Sequence, residues 1–157
     1  MTQAGAAEGA EEFVQEALDN FLVLIDDLDY KAVYEILEIG PLQFLRRRQM
    51  FIELKGLHMA LWRLALSRSF PNDAEAMFPA FLRKYASTHP GVKDSRIVER
   101  AREYWGMLAP TGTGDFSAVA RHLLSFFQRS PGDDRAAVLK LALYLNGSYN
   151  LIFDRLI

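Results

Sequence analysis

Between Pro41 and Pro71 the chain runs for 29 residues with no proline and one glycine, Gly56; most of this stretch reads "FLRRRQMFIELKGLHMALWRLALSRSF". Apolar residues recur there at three- and four-residue steps, which predicts one helix from about Pro41 to Ser69. At the usual rise such a helix is roughly 43 Å long. A helix of that length with so much apolar surface has to be the beam of a helical bundle.

Successive residues on a helix are about 100° apart, so Arg46, Arg47 and Arg48 point in three directions and cannot form one basic face. Met50, Leu54, Leu57 and Leu61 form a tight apolar stripe, which Phe44, Phe51, Ile52, Met59, Trp62 and Leu66 widen beyond half the circumference. What remains is a narrow polar or small strip, Gln49, Glu53, Gly56, Ala60, Arg63 and Ser67. Such a strip faces either water or a closely packed partner.

Helical period appears along the rest of the chain, and no segment alternates in the manner of a strand between hairpin turns. A first helix is expected from near Glu11 to about Asp29, after a disordered segment 1–10. Asp29 then caps a short helix through Ile39, because a carboxylate is favourable at a helix start and not at its end. Asn72 and Glu75 suit a capping pair for a segment that Pro79 should kink or restart before Phe81. "THPG" is a turn, and Asp94 or Ser95 opens a helix with Ile97, Val98, Ala101, Tyr104, Trp105 and Leu108 on one face. "APTGTGD", Ala109 to Asp115, reads as a loop, Asp115 caps a helix carrying Phe116 to Phe127, and "SPGDD" turns into a last helix from Asp133 to Ile157. That helix is apolar nearly all round, with Gly147-Ser148 loosening it midway, so it should be largely buried or covered by another subunit; its packed end suggests a C-terminus that is not free. The expected fold is all-α: a single domain, 11–157, of six or seven helices with a long central helix.

Composition narrows the chemistry. Half of the 157 residues are hydrophobic, enough for a real core, and 18 basic against 20 acidic residues leave a net charge of -2. No global field draws such a chain to nucleic acid or anionic lipid. Glu53, Glu99 and Glu103 dilute the two arginine clusters, and the candidate second helix of a helix-turn-helix, "VLKLALYL", is unsuited to reading bases, so no nucleic acid is expected. Arg63 and Arg68 interrupt the best candidate membrane span, and the opening residues lack a basic signal region; a cytoplasmic protein with no membrane partner is expected. Without cysteine there is no disulfide, thiolate nucleophile or cysteine-held metal.

None of His58, His89 and His122 lies in a metal-binding pattern, so no metal and no cofactor is expected. An all-α chain with two histidines 31 residues apart invites comparison with globins, but His89 lies in the "THPG" turn and no other globin feature is present. "DDLD" at 26–29 lacks the pattern of a calcium loop, "TGTGD" lacks the lysine and spacing of a phosphate loop, and no nucleophile setting is recognisable, so no catalytic residue is assigned. Two functional expectations remain. The first is a non-enzymatic interaction or regulatory module binding a protein partner or a second copy as a homodimer, with the strip Gln49, Glu53, Gly56, Ala60, Arg63, Ser67 as its surface. The second is a small-molecule sensor or carrier holding an apolar or haem-like ligand between helices, around Phe51, His58, Trp62, Tyr104, Trp105 and Tyr144.

Overall fold

The computed structural model describes residues 2–111, 115–127 and 131–156, and the described chain is all-α with no strand. Seven helices follow in order: α1 (Thr2–Asp27), α2 (Lys31–Ile36), α3 (Phe44–Ser69), α4 (Ala74–Thr88), α5 (Val92–Leu108), α6 (Ser117–Leu124) and α7 (Pro131–Asp154). Every residue of α3 from Ile52 to Trp62 is buried, about three turns enclosed on all sides.

Aromatic pairs record how the cover is laid. Phe13 meets Phe70, Phe21 stacks on Trp62 at 4.6 Å, and Tyr30 meets Phe51, so α1 and the residues after it run antiparallel to α3. Phe81 of α4 completes a three-ring cluster with Phe21 and Trp62. α5 runs in the same sense as α3, from Lys93 over the Phe51 ring to Trp105 against Arg63. On another side Tyr144 and Tyr149 of α7 meet His58 and Arg68. Asp26 fastens three elements together: one oxygen receives the Lys55 ammonium at 3.1 Å and the other lies 3.3 Å from His89 Nε2.

Local chemistry accounts for most boundaries. The Asp29 and Asp115 side chains accept from the backbone N–H of Lys31 (2.9 Å) and Ser117 (3.0 Å), but each stands one residue ahead of the cap position, which Tyr30 and Phe116 hold without a side-chain cap. α2 ends earlier than Ile39: Glu38 adopts φ 57°, while the N–H groups of Glu38 and Ile39 donate to the carbonyls of Glu35 and Tyr34, the pattern that closes a helix through a left-handed residue. α3 starts at Phe44 rather than Pro41. The Arg47 guanidinium donates to the carbonyls of Gly40 and Ile39, and Gly40 N–H donates to Gln43, which holds the preceding residues as a loop. The three arginines do diverge: Arg47 also covers Tyr34, Arg46 lies over Phe127, and Arg48 is exposed.

Other expectations are corrected. α1 begins at Thr2, not near Glu11, so the helix takes in the opening residues, where four alanines offset the unfavourable Gly5 and Gly9. α4 continues through Pro79 as one helix; Pro79 and Glu75, whose carbonyl the missing N–H would have met, are both exposed, so the lost bond does not fall in the core. The Asn72–Glu75 pair does not form, since no side chain caps α4. α5 opens at Val92, placing Asp94 inside its first turn. Residues 112–114 of the expected Ala109–Asp115 loop, Ser130 of "SPGDD" and Ile157 lie outside the described residues. α7 runs unbroken past Gly147-Ser148 and is not enclosed: Ala137, Leu141, Leu145, Tyr149 and Ile152 are buried, whereas Leu139 (61% exposed), Leu143 (64%) and Phe153 (41%) face outward. Cover on one side only is the reason.

Candidate functional site

The polar strip of α3 meets the protein's own α5. At Gly56 the two backbones approach so closely that an added Cβ would lie 2.8 Å from Arg100 Cβ and 3.0 Å from both Ala101 N and the Ile97 carbonyl oxygen. Ala60, one turn on, is fully buried. One turn earlier Glu53 is buried, with the Arg100 guanidinium at 2.9 Å on one oxygen and the Tyr104 hydroxyl donating at 2.5 Å to the other. Burial first, and then the Glu53 carboxylate, push the Tyr104 hydroxyl far above its ordinary pKa. The middle of the strip, Glu53, Gly56 and Ala60, is therefore closed to another chain, while Gln49 is exposed and Arg63 and Ser67 are half-buried. Small residues and one carboxylate on a helix announce a close neighbour, but not whose helix it is.

The six rings do not form one chamber; they separate into four places. Trp62 is buried in the Phe21–Phe81 cluster. Tyr104 is tied to Glu53 beneath α5, with His122, half-buried, edge-on to it. Phe51, His58 and Tyr144 share the third place through Tyr30, whose ring centroid is 5.6 Å from Phe51 and 5.2 Å from His58. Trp105 stands apart near the surface, where the Arg63 guanidinium covers it at 4.3 Å.

His58 is fully buried. Its Nδ1–H donates to the Leu54 carbonyl at 2.7 Å, which fixes the tautomer and leaves Nε2 as a bare acceptor with no protein partner; the Tyr30 hydroxyl is likewise unpartnered. A carbonyl holding Nδ1–H is how proteins orient ligating imidazoles. Here, however, the Tyr30 and Tyr144 rings lie 5.2 and 6.1 Å from the imidazole, and a haem-sized ligand would have to displace them. Among the described residues no group of three or more His, Cys, Asp and Glu side chains could hold a metal ion.

Burial pulls the His58 pKa down to about 4, against a smaller upward pull from the Leu54 hydrogen bond. The unfolded chain, titrating near 6.5, therefore binds the extra proton first as pH falls. The stability that depends on neutral His58 is present above about pH 6.5 and is lost towards pH 4, by about 3 kcal/mol. Urea unfolding at pH 7 and pH 4 should show His58→Leu losing about 3 kcal/mol less than the unchanged protein across that interval. Equal losses would show that His58 does not drive the acid limb.

Where the strip emerges from beneath α5, Arg63 and Trp105 meet in a cleft of about 290 Å³ between α3, α4 and α5. Phe78, Pro79 and Leu82 supply its apolar wall, and Glu75 and Arg102 its polar rim. Arg63 donates to the Ser67 hydroxyl, and burial lowers its pKa from the ordinary value while Glu75 opposes that shift. Sequence reasoning named Arg63 and Trp105 for two different sites and missed the rest. The cleft is created by the crossing of three helices, and no local pattern encodes it.

No protein-family model, curated protein or solved structure matches this chain. No helix among the described residues is long and apolar enough to cross a membrane.

Proposed function

We propose that the protein is a non-enzymatic helical interaction module of the cytoplasm that pairs with a second copy of itself through α7. The observation that carries this is the outward ridge of Leu139 and Leu143, two leucines one turn apart and more than 60% exposed. Exposed leucines are ordinary singly, but stacked on one helix face they mark a surface that another chain covers. Beside the ridge, α6 and α7 enclose a groove of about 610 Å³ lined by Leu124, Phe127 and Val138, with Arg121, Asp134 and Arg135 at its margin. Ridge and groove are neighbours on one surface, so a two-fold axis can seat each ridge in the other copy's groove. Cations and an anion at the margin suit the same self-complementary arrangement.

Size exclusion with light scattering at micromolar concentration should give twice the 17.8 kDa mass of the chain. The double substitution Leu139→Glu, Leu143→Glu should give a monomer with unchanged helix content, since both positions lie outside the core. A clean monomer of the unchanged protein, or a dimer indifferent to the double substitution, would overturn the proposal.

A further inference from the structure

The cleft between α3, α4 and α5 has chemistry that neither the core nor the α7 surface uses. Arg63 and Arg102 both line it, and among the described residues neither forms an ion pair of the kind that joins Arg100 to Glu53. The other half-buried guanidiniums are occupied: Arg47 by two carbonyls and Arg100 by Glu53 and Glu103. Arg63 by contrast has one hydroxyl partner, Ser67, and its guanidinium carbon lies over the Trp105 ring, 4.3 Å from the centroid. A guanidinium fixed in this way keeps donors in place for a planar acceptor, which is the geometry that carboxylates exploit.

From this arrangement we infer that the cleft is a binding site for a small carboxylate with an apolar body, the carboxylate between Arg63 and Arg102 and the body against Phe78, Leu82 and the Trp105 indole. Three features favour that class over a bare anion. The wall is mostly apolar carbon, and the volume of about 290 Å³ is at the small end of ligand pockets. Glu75 at the rim repels a highly charged group such as phosphate more than a single carboxylate. Strengthening the argument, Arg102 is an exposed side chain that the fold does not need for packing, so it is available to a ligand.

The test is titration of the full chain with 3-phenylpropionate, following the Trp105 indole N–H by nuclear magnetic resonance, with 3-phenylpropionamide and inorganic phosphate as comparison probes. The inference expects a saturable shift with the carboxylate and binding at least about tenfold weaker for the amide, which loses the charge-assisted contact, and for phosphate, which lacks the apolar body and is repelled by Glu75. Arg102→Gln, which leaves the packed residues untouched, should weaken carboxylate binding by about the same factor while the dimer mass is unchanged. Arg63→Gln should do so more strongly. No shift, equal binding of the amide or phosphate, or full binding by Arg102→Gln would each overturn the site, and none of these outcomes bears on pairing through α7.

Discussion

Gly56→Leu is expected to destabilise the fold by more than about 3 kcal/mol, the upper range for an overpacked core, and Gly56→Ala by about 2 kcal/mol. Alanine is the informative case, because in an open helix it would stabilise by nearly 1 kcal/mol relative to glycine. The sign reverses here since two of the three atoms met by the new Cβ belong to the α5 backbone, at Ile97 and Ala101, and cannot swing aside. α5 would have to lift off along the whole seam, loosening Ala60 and the Glu53 pair with it. Urea unfolding measures both variants, and a Gly56→Ala protein as stable as the unchanged one would show that the helices are not in close contact. The result matters for function: a seam that tight cannot also be a partner surface.

Glu53→Ala is the second large effect, at about 3 kcal/mol, the lower end for breaking a buried charge pair because Arg100 keeps partial access to water. The loss comes less from the attraction removed than from the groups left behind: the Tyr104 hydroxyl, buried and without an acceptor, and a guanidinium with only Glu103 to face. Thermal unfolding should show a midpoint lower by roughly 10 °C for a chain of this length. Adding Tyr104→Phe to Glu53→Ala should then cost little more, because the orphaned hydroxyl is gone, and a double-mutant cycle should give a coupling of about 1 kcal/mol or more between the two positions. Strict additivity would mean that the hydroxyl and carboxylate do not interact.

These two contacts show where reading the chain stops. Glu53, Gly56 and Ala60 can be placed on one side of α3 from spacing alone, and the small residues signal a close approach. That the approaching helix is α5 rests on Ile97, Arg100 and Ala101, more than forty residues away, whose own spacing tells only that they share a face. The six rings illustrate the same limit. Phe51, His58 and Trp62 lie on one helix at seven- and four-residue steps, yet Trp62 packs with Phe21 and Phe81 whereas His58 packs with Tyr30 and Tyr144. A few tens of degrees around α3 decide between two different sets of neighbours. α7 failed in the opposite direction: its composition implies burial all round, but the helices available to cover it lie on one side.

The amino-acid order by itself determined the all-α class, the long helix ending before Pro71, and the inward face of α5, because each follows from bonds and side-chain directions within a few residues of chain. The tertiary structure alone decided that the polar strip is an internal seam, that Arg63 and Trp105 share a cleft, and that Leu139 and Leu143 stand uncovered. Helical periodicity assigns a residue to a face; which helix meets that face is settled by packing among elements distant in sequence, where volume, crossing and the pairing of buried charge must be satisfied together.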